Sequence, residues 1–284
     1  MQLSLSIFGN ARHSLQQLQE TARELGFRGV RAVPGDLLDQ LPRPSEPGAF
    51  PSLPTSVLEP ALTPDEAPLA LDGRRAGAWL RSLREQQAQT LVIEVGALAS
   101  PGLRERGQKL LDTMRTEGKN ALGAEAVEEL QDAAQDVVEQ ELESLARFLH
   151  ALFQAAPGLG IALAIEEHPA ALLTPNSFRL LRDEAGLPPL GFWYDSARAQ
   201  ARAAYSLDQP GDWLDAHAGQ IVGVTLHDWA DGQDQRLVGE GEVDFRLLAE
   251  YLPREASRVL SAAPVYPKEL LTAAQDALAA AGLH

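Results

Sequence analysis

The sequence predicts an α/β protein folded as a single (β/α)8 TIM barrel over residues 1–284. Apolar runs of strand length alternate with amphipathic stretches of helix length along most of the chain, a pattern typical of parallel sheets covered by helices. Polar side chains end four strand candidates, where barrel enzymes carry functional groups: Glu94, Glu166, Asp195 and His227. A doubly wound sheet is the competitor, but FGNA at residues 8–11 lacks the G-x-G-x-x-G of a dinucleotide-binding turn.

The first half of the chain contains four predicted strands. Ser14 is placed to cap a first helix over residues 15–25, which Gly26 ends. A Pro-rich stretch at 34–72 surrounds the third strand, and a helix over 74–87 precedes the fourth. The strands are expected at residues 2–8, 28–33, 53–58 and 90–95.

The second half contains the other four predicted strands. Residues 101–123 carry a basic cluster, which predicts a solvated helix face or, alternatively, a contact to a substrate phosphate. One long amphipathic helix is expected over 124–156. The strands are expected at 161–166, 190–195, 221–227 and 258–262, with helices at about 175–185, 197–217, 244–252 and 267–281. No Pro/Gly linker divides the chain, which favours one domain.

The composition excludes several classes of function. Lys and Arg total 24 against 40 Asp and Glu, so the formal net charge is -16 at pH 7 and nucleic acid or anionic membrane surfaces are poor partners. The absence of cysteine removes disulfides, thiolate catalysis and zinc–sulfur sites. The start, MQLSLSIFGN, has no basic region typical of a signal peptide. We therefore expect a cytoplasmic protein with a small-molecule substrate. The sequence is compatible with a homo-oligomer but does not predict one.

Three of the strand-terminal residues form the candidate site. A carboxylate such as Glu166 or Asp195 at the end of a buried strand is costly unless it is paired, hydrogen-bonded or bound to a metal. Together with the His227 imidazole, the two carboxylates would suit Mn, Mg, Co or Zn and leave positions open for substrate oxygens. The structural alternative is that the carboxylates cap helices or anchor loops and that His227 is a buried, satisfied imidazole.

Four further residues are secondary candidates. Glu94 either joins the site as a catalytic carboxylate or accepts a hydrogen bond from the next loop. His168 either contacts substrate or only adds polarity to its loop. Trp193 and Trp229 flank the expected mouth and would form the floor of a sugar pocket, although core packing explains them equally well.

Four segments carry a resemblance to a known family: LQETARELGFRGVR at 18–31, IALAIEEHP at 161–169, GFWYDSARA at 191–199, and Val222–Phe245 ending in GEGEVDF. They resemble the xylose isomerase-like barrel superfamily of sugar-phosphate isomerases, epimerases and endonuclease IV-type enzymes. The final segment matches a "GxGxiDf" loop and is the most specific. The resemblance implies a TIM barrel whose metal is held by Glu, Asp, His and Glu from strands five to eight.

The sequence departs from the family's ligand set. Glu166 and Asp195 match its strand-five and strand-six ligands, whereas its strand-seven histidine falls on Thr225, two residues before His227. The strand-eight glutamate falls on Ser261 or Ala262.

Further family positions differ as well. The histidine three residues after the family's aspartate is Arg198 here, and the strand-four position that is often His is Glu94. The family's epimerases use two opposed glutamates, of which only Glu166 is present, so Glu94 or Glu167 would have to supply the second.

Three hypotheses follow. The first is a sugar or sugar-phosphate isomerase or epimerase acting on a small polyol, sugar or sugar acid, assisted by a divalent ion on Glu166, Asp195 and His227. The second is a metal-free barrel that works as a binding or accessory protein, with Arg198 attracting a carboxylate or phosphate. The third is metal-free lyase or isomerase chemistry with His227 as base. Because Arg198 would compete for the Asp195 charge, we expect weak or no metal binding.

Overall fold

The structure is a computed structural model of the 284-residue chain. It describes residues 3–7, 15–27, 29–32, 55–58, 80–81, 84, 88, 90–94, 101–118, 121, 123–135, 138–155, 158, 160–166, 174–183, 189–204, 208–263 and 266–283. The statements below concern these residues.

Parallel strands pair side by side and close into a barrel. Their order around the barrel is β1-β10-β7-β6-β5-β4-β3-β2, so β10 is the eighth barrel strand in sequence. The bounds are β1 Leu3–Ile7, β2 Gly29–Ala32, β3 Thr55–Leu58, β4 Thr90–Glu94, β5 Ala162–Glu166, β6 Leu190–Asp195, β7 Ile221–Leu226 and β10 Ser257–Ala262. Each agrees with a predicted strand to within two residues.

Helices follow most of the described strands. They are α1 Leu15–Glu24, α2 Pro101–Glu117, α3 Ala124–Gln135, α4 Val138–Ala155, α5 Pro175–Arg182, α6 Ser196–Ala204, α7 Pro210–His217, α8 Phe245–Tyr251 and α9 Lys268–Ala280. The segments between β2 and β3 and most of those between β3 and β4 lie outside the described residues. The TIM-barrel class is thus observed, and the complete eightfold β/α alternation stays a prediction.

Two predicted helices are divided in the structure. The single helix expected over 124–156 is two helices, α3 and α4, with residues 136 and 137 outside the described part. The helix expected over 197–217 is also two, α6 and α7, and Pro210 begins the second because a proline fits the first helical turn, where its missing N–H leaves no bond unmade.

A short antiparallel hairpin was not predicted. Its strands are β8 Asp228–Ala230 and β9 Gln233–Arg236, directly after β7. Asp231, with φ 51°, and Gly232, with φ 76°, form the turn, and consecutive positive φ values match the right-handed twist of a two-residue hairpin. The sequence Ala-Asp-Gly-Gln at 230–233 carries the Asp-Gly signal for it.

The alternation of side chains along the strands divides the buried apolar residues into a core inside the barrel and an outer core between strands and helices. Val92, Ala164, Trp193 and Val259 form the barrel interior, whereas their strand neighbours pack outward against the helices. Because side chains two residues apart share a face, Glu166 continues the interior series of β5 and Asp195 that of β6. The alternation therefore delivers both carboxylates to the inside of the barrel, at the C-terminal strand ends.

A glycine makes room for the largest interior side chain. A Cβ on Gly223 in β7 would lie 2.2 Å from the Trp193 ring. The indole therefore fills the barrel interior directly beneath the C-terminal end, and the interior is packed there rather than open.

An aromatic cluster lies in the helix layer outside β6. The His217 ring centroid is 4.6 Å from that of Phe178, 4.9 Å from Phe192 and 5.7 Å from Trp213. His217 is fully buried, and burial lowers its pKa to about 4 because an imidazolium would lose its hydration there.

Within the described residues, no helix combines the length and the apolar character that a membrane crossing would require.

Candidate functional site

Glu166, the last residue of β5, is held by an arginine from the far side of the barrel. Arg31 in β2 donates from Nη2 to Glu166 Oε2 at 2.7 Å and from Nη1 to Oε1 at 3.1 Å. In the barrel order β2 and β5 are separated by β3 and β4, so the Arg31 side chain crosses the interior. The paired fork matches the carboxylate geometry, and both partners are buried.

Thr225 and Trp193 support this ion pair from below. The Thr225 hydroxyl donates to Glu166 Oε1 at 3.0 Å and accepts the Trp193 indole N–H at 2.9 Å. Arg31 Nη1 also donates to the same hydroxyl. The Arg31 guanidinium carbon lies 5.5 Å from the centroid of the Trp193 ring, within the range of a cation–π contact. The four side chains therefore form one continuous polar network.

Asp195, at the end of β6, pairs with His227. Their Oδ1 and Nε2 atoms are 2.6 Å apart, and both side chains are 1% exposed. The other ring nitrogen, Nδ1, accepts the backbone N–H of Gln235 in the hairpin at 3.1 Å. Because an accepting nitrogen carries no proton in a neutral imidazole, the proton belongs on Nε2, which donates to Asp195. The hairpin thereby fixes the His227 tautomer.

Arg198, in the first turn of α6, connects the two carboxylates. Its Nε lies 3.6 Å from Asp195 Oδ2, and its Nη1 lies 3.5 Å from Glu166 Oε2. Its backbone N–H also donates to Asp195 Oδ1 at 2.9 Å. Burial opposes ionisation of Asp195, but the His227 and Arg198 contacts outweigh it and hold the pKa of this carboxyl well below its usual range.

Among the residues that the structure describes, two buried oxygens of the site lack a hydrogen-bond partner. They are Asp195 Oδ2 and the Ser261 hydroxyl, which is fully buried in β10. Ser261 alternates with Val259 of the barrel interior, whereas Ala262 belongs to the outer core. Of the two positions left open from the sequence, Ser261 is therefore the one that faces inward where the family's glutamate is expected.

The GEGEVDF loop is anchored by Asp228, directly after His227. Asp228 Oδ1 accepts the backbone N–H groups of Trp229 at 2.9 Å and Val243 at 3.0 Å, and Oδ2 accepts that of Gly239 at 3.0 Å. A Cβ on Gly241 would lie 2.4 Å from Asp228 Oδ1, so glycine permits the close approach. This loop therefore supports the segment that carries His227.

The structure brings four of the candidates together. Glu166, Asp195, His227 and Arg198 share one cluster. Glu94 ends β4 in register with Glu166, but its side chain lies outside the described part, as does all of His168.

The two tryptophans differ in position. Trp193 is fully buried in the interior as part of the network, so it does not present an open floor. Trp229 is buried in a separate cluster with Met114, Ala197 and Ala201. Both side chains are packed in the core, which is the alternative that the sequence analysis gave to a sugar-pocket floor.

Arg31 was missed as a site residue. The segment LGFRGVR ends in a charged residue on a predicted buried strand of an acidic chain. Such a residue needs an interior partner, and this was the signal that could have identified it.

The donor set that the described residues form does not fit a divalent metal ion. Both Glu166 oxygens accept from Arg31, and both His227 ring nitrogens make hydrogen bonds, with Nε2 carrying a proton. The inward strand-eight position is Ser261 rather than a carboxylate. In the part of the chain that the structure describes, no group of three His, Cys, Asp or Glu residues is arranged to hold a metal.

The described residues of the basic cluster of 101–123 lie on α2. Arg106, Lys109 and Arg115 are exposed on α2, as expected for a solvated helix face. Arg115 Nη2 contacts Asp234 of the hairpin at 3.1 Å.

Comparison with known proteins identifies the fold. No family model matches the sequence, and no curated protein matches it. Among solved structures, the chain is similar to D-psicose 3-epimerase with D-tagatose from Clostridium cellulolyticum H10, at 10% identity and a TM-score of 0.67, covering 99% of each chain. It is similar to a xylose isomerase domain protein from Planctomyces limnophilus, at 13% identity and a TM-score of 0.63, covering 99% of this chain and 98% of that chain.

A third similar structure is the IolI protein with a bound zinc atom, at 14% identity and a TM-score of 0.63, covering 99% of this chain and 98% of that chain. The likeness spans nearly the whole chain in all three cases. The fold of this chain is that of the xylose isomerase-like TIM barrel proteins.

Proposed function

We propose that the chain is a sugar isomerase- or epimerase-like protein that takes a small polyol, sugar or sugar acid at the mouth of its barrel. One observation carries the proposal: two carboxylates and an imidazole, from β5, β6 and the end of β7, meet in one cluster of hydrogen bonds and ion pairs at the C-terminal strand ends. Functional groups of barrel enzymes lie at this end. Structural neighbours that are sugar epimerases support it.

The proposed chemistry is proton transfer at the carbon beside a carbonyl group. A carboxylate within hydrogen-bond reach of that carbon's proton is suited to the task. Glu166 is the proposed base, and Glu94, whose backbone is its register partner on β4, is the proposed second carboxylate. Asp195 is proposed to hold the His227 ring in place, with Arg198 and His168 contacting substrate oxygens. No step requires a metal ion.

A metal-free binding barrel is the second candidate. This candidate is favoured because the polar atoms of Glu166 and His227 already have hydrogen-bond partners within the protein. Both Glu166 oxygens accept from Arg31, and both His227 nitrogens make hydrogen bonds. A base already occupied in this way must exchange a partner before it can accept a proton from a substrate. In this alternative, the same site binds a sugar or sugar acid and releases it unchanged.

Isotope exchange separates the two candidates. A panel of ketoses, aldoses and sugar acids is incubated with the protein in D2O containing EDTA, and loss of the α-proton signal is followed by NMR. Enzymatic exchange that Glu166→Gln abolishes supports the isomerase or epimerase. Ligand-induced thermal stabilisation without exchange supports the binding barrel, and neither effect with any compound contradicts both. Arg115→Met, on the exposed face of α2, is the matched control.

We also propose that the full chain forms one domain with eight β/α units. The closed strand order supports this proposal. A crystal structure that showed a different element between β2 and β4 would contradict it.

A further inference from the structure

We propose that the guanidinium groups of Arg31 and Arg198 take the electrostatic place of a divalent metal ion at the mouth of this barrel. Arg31 is then a positioning residue that holds Glu166, and Arg198 is the cation that faces the ligand. The inference rests on the proposed function for the nature of that ligand. The charge arrangement itself is independent of it.

Arg31 is built into the site as a permanent counter-ion. It is 5% exposed, and its fork covers both oxygens of a fully buried Glu166. A buried guanidinium is costly unless it is paired and hydrogen-bonded, and here Glu166, Thr225 and the face of Trp193 satisfy it together. Because this side chain crosses the interior to reach β5, the space above Trp193 is occupied by a cation.

Arg198 occupies a bridging position. Its side chain lies 3.5 Å from Glu166 Oε2 and 3.6 Å from Asp195 Oδ2, so one guanidinium contacts carboxylates from two adjacent strands. Glu166 and Asp195 are also the two carboxylates that the family resemblance assigns to a metal. Arg198 is 12% exposed, more than Arg31, Glu166 or Asp195, so it is the member of the group that a ligand at the mouth meets first.

The formal charges of these four described side chains cancel. Two guanidiniums balance the carboxylates of Glu166 and Asp195, which is the charge that one divalent ion would supply. An incoming metal ion would have to displace both arginines, and it would find the Ser261 hydroxyl where a fourth carboxylate or imidazole donor is needed. The two arginines and the serine therefore act in the same direction, against a metal.

Metal titration of the full chain tests this inference without any substrate. The EDTA-treated, dialysed wild-type protein is titrated calorimetrically with ZnCl2 and with MnCl2. No binding at micromolar concentrations is expected at the mouth. A micromolar or tighter site that Glu166→Gln abolishes would overturn the inference.

A gain-of-binding variant supplies the second arm. In Arg31→Met/Arg198→His both cations are removed and an imidazole is added beside Asp195. Zinc affinity is expected to rise at least about tenfold over wild type and to fall again when Glu166→Gln is added. The matched control is Arg202→Met, because Arg202 is also a buried arginine but pairs with Asp208 outside the barrel. A folded double variant with no gain would overturn the inference.

Folding of the double variant is checked by circular dichroism. If it does not fold, Arg31→Gln/Arg198→His replaces it, since both cations are still removed while a side-chain amide at position 31 can donate to Glu166. A measurable gain in zinc affinity supports the inference, and no gain overturns it. Failure of the proposed function would appear separately, as absent isotope exchange and absent sugar binding with the metal result unchanged.

Discussion

The Arg31–Glu166 pair gives the most quantitative prediction. Unit charges 2.7 Å apart attract by about 6 kcal/mol at an effective dielectric of 20, and most of this attraction offsets the cost of dehydrating both groups. In Arg31→Met, Glu166 loses its main partner but keeps Arg198 at 3.5 Å. Breaking a buried pair from one side then costs about 3–5 kcal/mol of the free energy of unfolding.

Thermal unfolding followed by circular dichroism measures this loss. Since the unfolding entropy of a 284-residue chain is about 0.6 kcal/mol per kelvin, Arg31→Met should lower the Tm by about 5–8 °C. The double variant Arg31→Met/Glu166→Gln should recover part of the loss, with a coupling energy of at least about 2 kcal/mol. Arg115→Met, which breaks the exposed pair with Asp234, should cost under about 1 kcal/mol. The prediction would be refuted if the losses of Arg31→Met and Glu166→Gln were strictly additive in the double variant. It would also be refuted if Arg31→Met cost no more free energy of unfolding than the control Arg115→Met.

Three further predictions concern the surroundings of the site. Because burial lowers the pKa of His217 from 6.5 to about 4, the unfolded chain binds more protons than the folded chain between these pH values, and the free energy of unfolding falls as the pH falls. From about pH 7 to pH 5, measured by urea unfolding, His217→Phe should lose about 2 kcal/mol less of this free energy than wild type. Equal losses in the two proteins would contradict this. Gly223→Ala places a Cβ 2.2 Å from the Trp193 ring and should lower the free energy of unfolding in urea by about 1–3 kcal/mol. The control Gly219→Ala, whose added Cβ would have no atom within 4 Å, should change it little, and equal effects would count against a packed interior. Asp228→Ala leaves three backbone N–H groups without an acceptor, that of Trp229 and, in the GEGEVDF loop, those of Gly239 and Val243. It should lower the free energy of unfolding by about 2–4 kcal/mol and speed amide exchange in the loop, and unchanged exchange would show that the carboxylate does not hold the loop.

The strands were predictable because their apolar residues are buried on both faces. Runs such as Ala162–Ile165 and Ile221–Leu226 contain few polar interruptions, and a polar residue marks the point where each strand reaches the mouth. The positions of Glu166 and Asp195 followed from the same pattern. Their inward orientation follows from alternation once Ala164 and Trp193 are known to face inward.

The partners of these residues could not be predicted in the same way. Arg31 and Glu166 are 135 residues apart, and only closure of the barrel brings β2 opposite β5. The contact between Gln235 and His227 depends on the hairpin, which was not predicted although its Asp-Gly turn is visible in the sequence. The contact of Arg198 with Asp195 was predicted, because the two residues are only three positions apart in the sequence.

The most direct test of the account is a crystal structure of the protein grown with excess zinc, with diffraction data collected at the zinc absorption edge. The account predicts no anomalous peak between Glu166 and Asp195, with Arg31 within hydrogen-bond distance of both Glu166 oxygens. An anomalous peak bonded to Glu166 and Asp195, with the two arginines turned away, would contradict it.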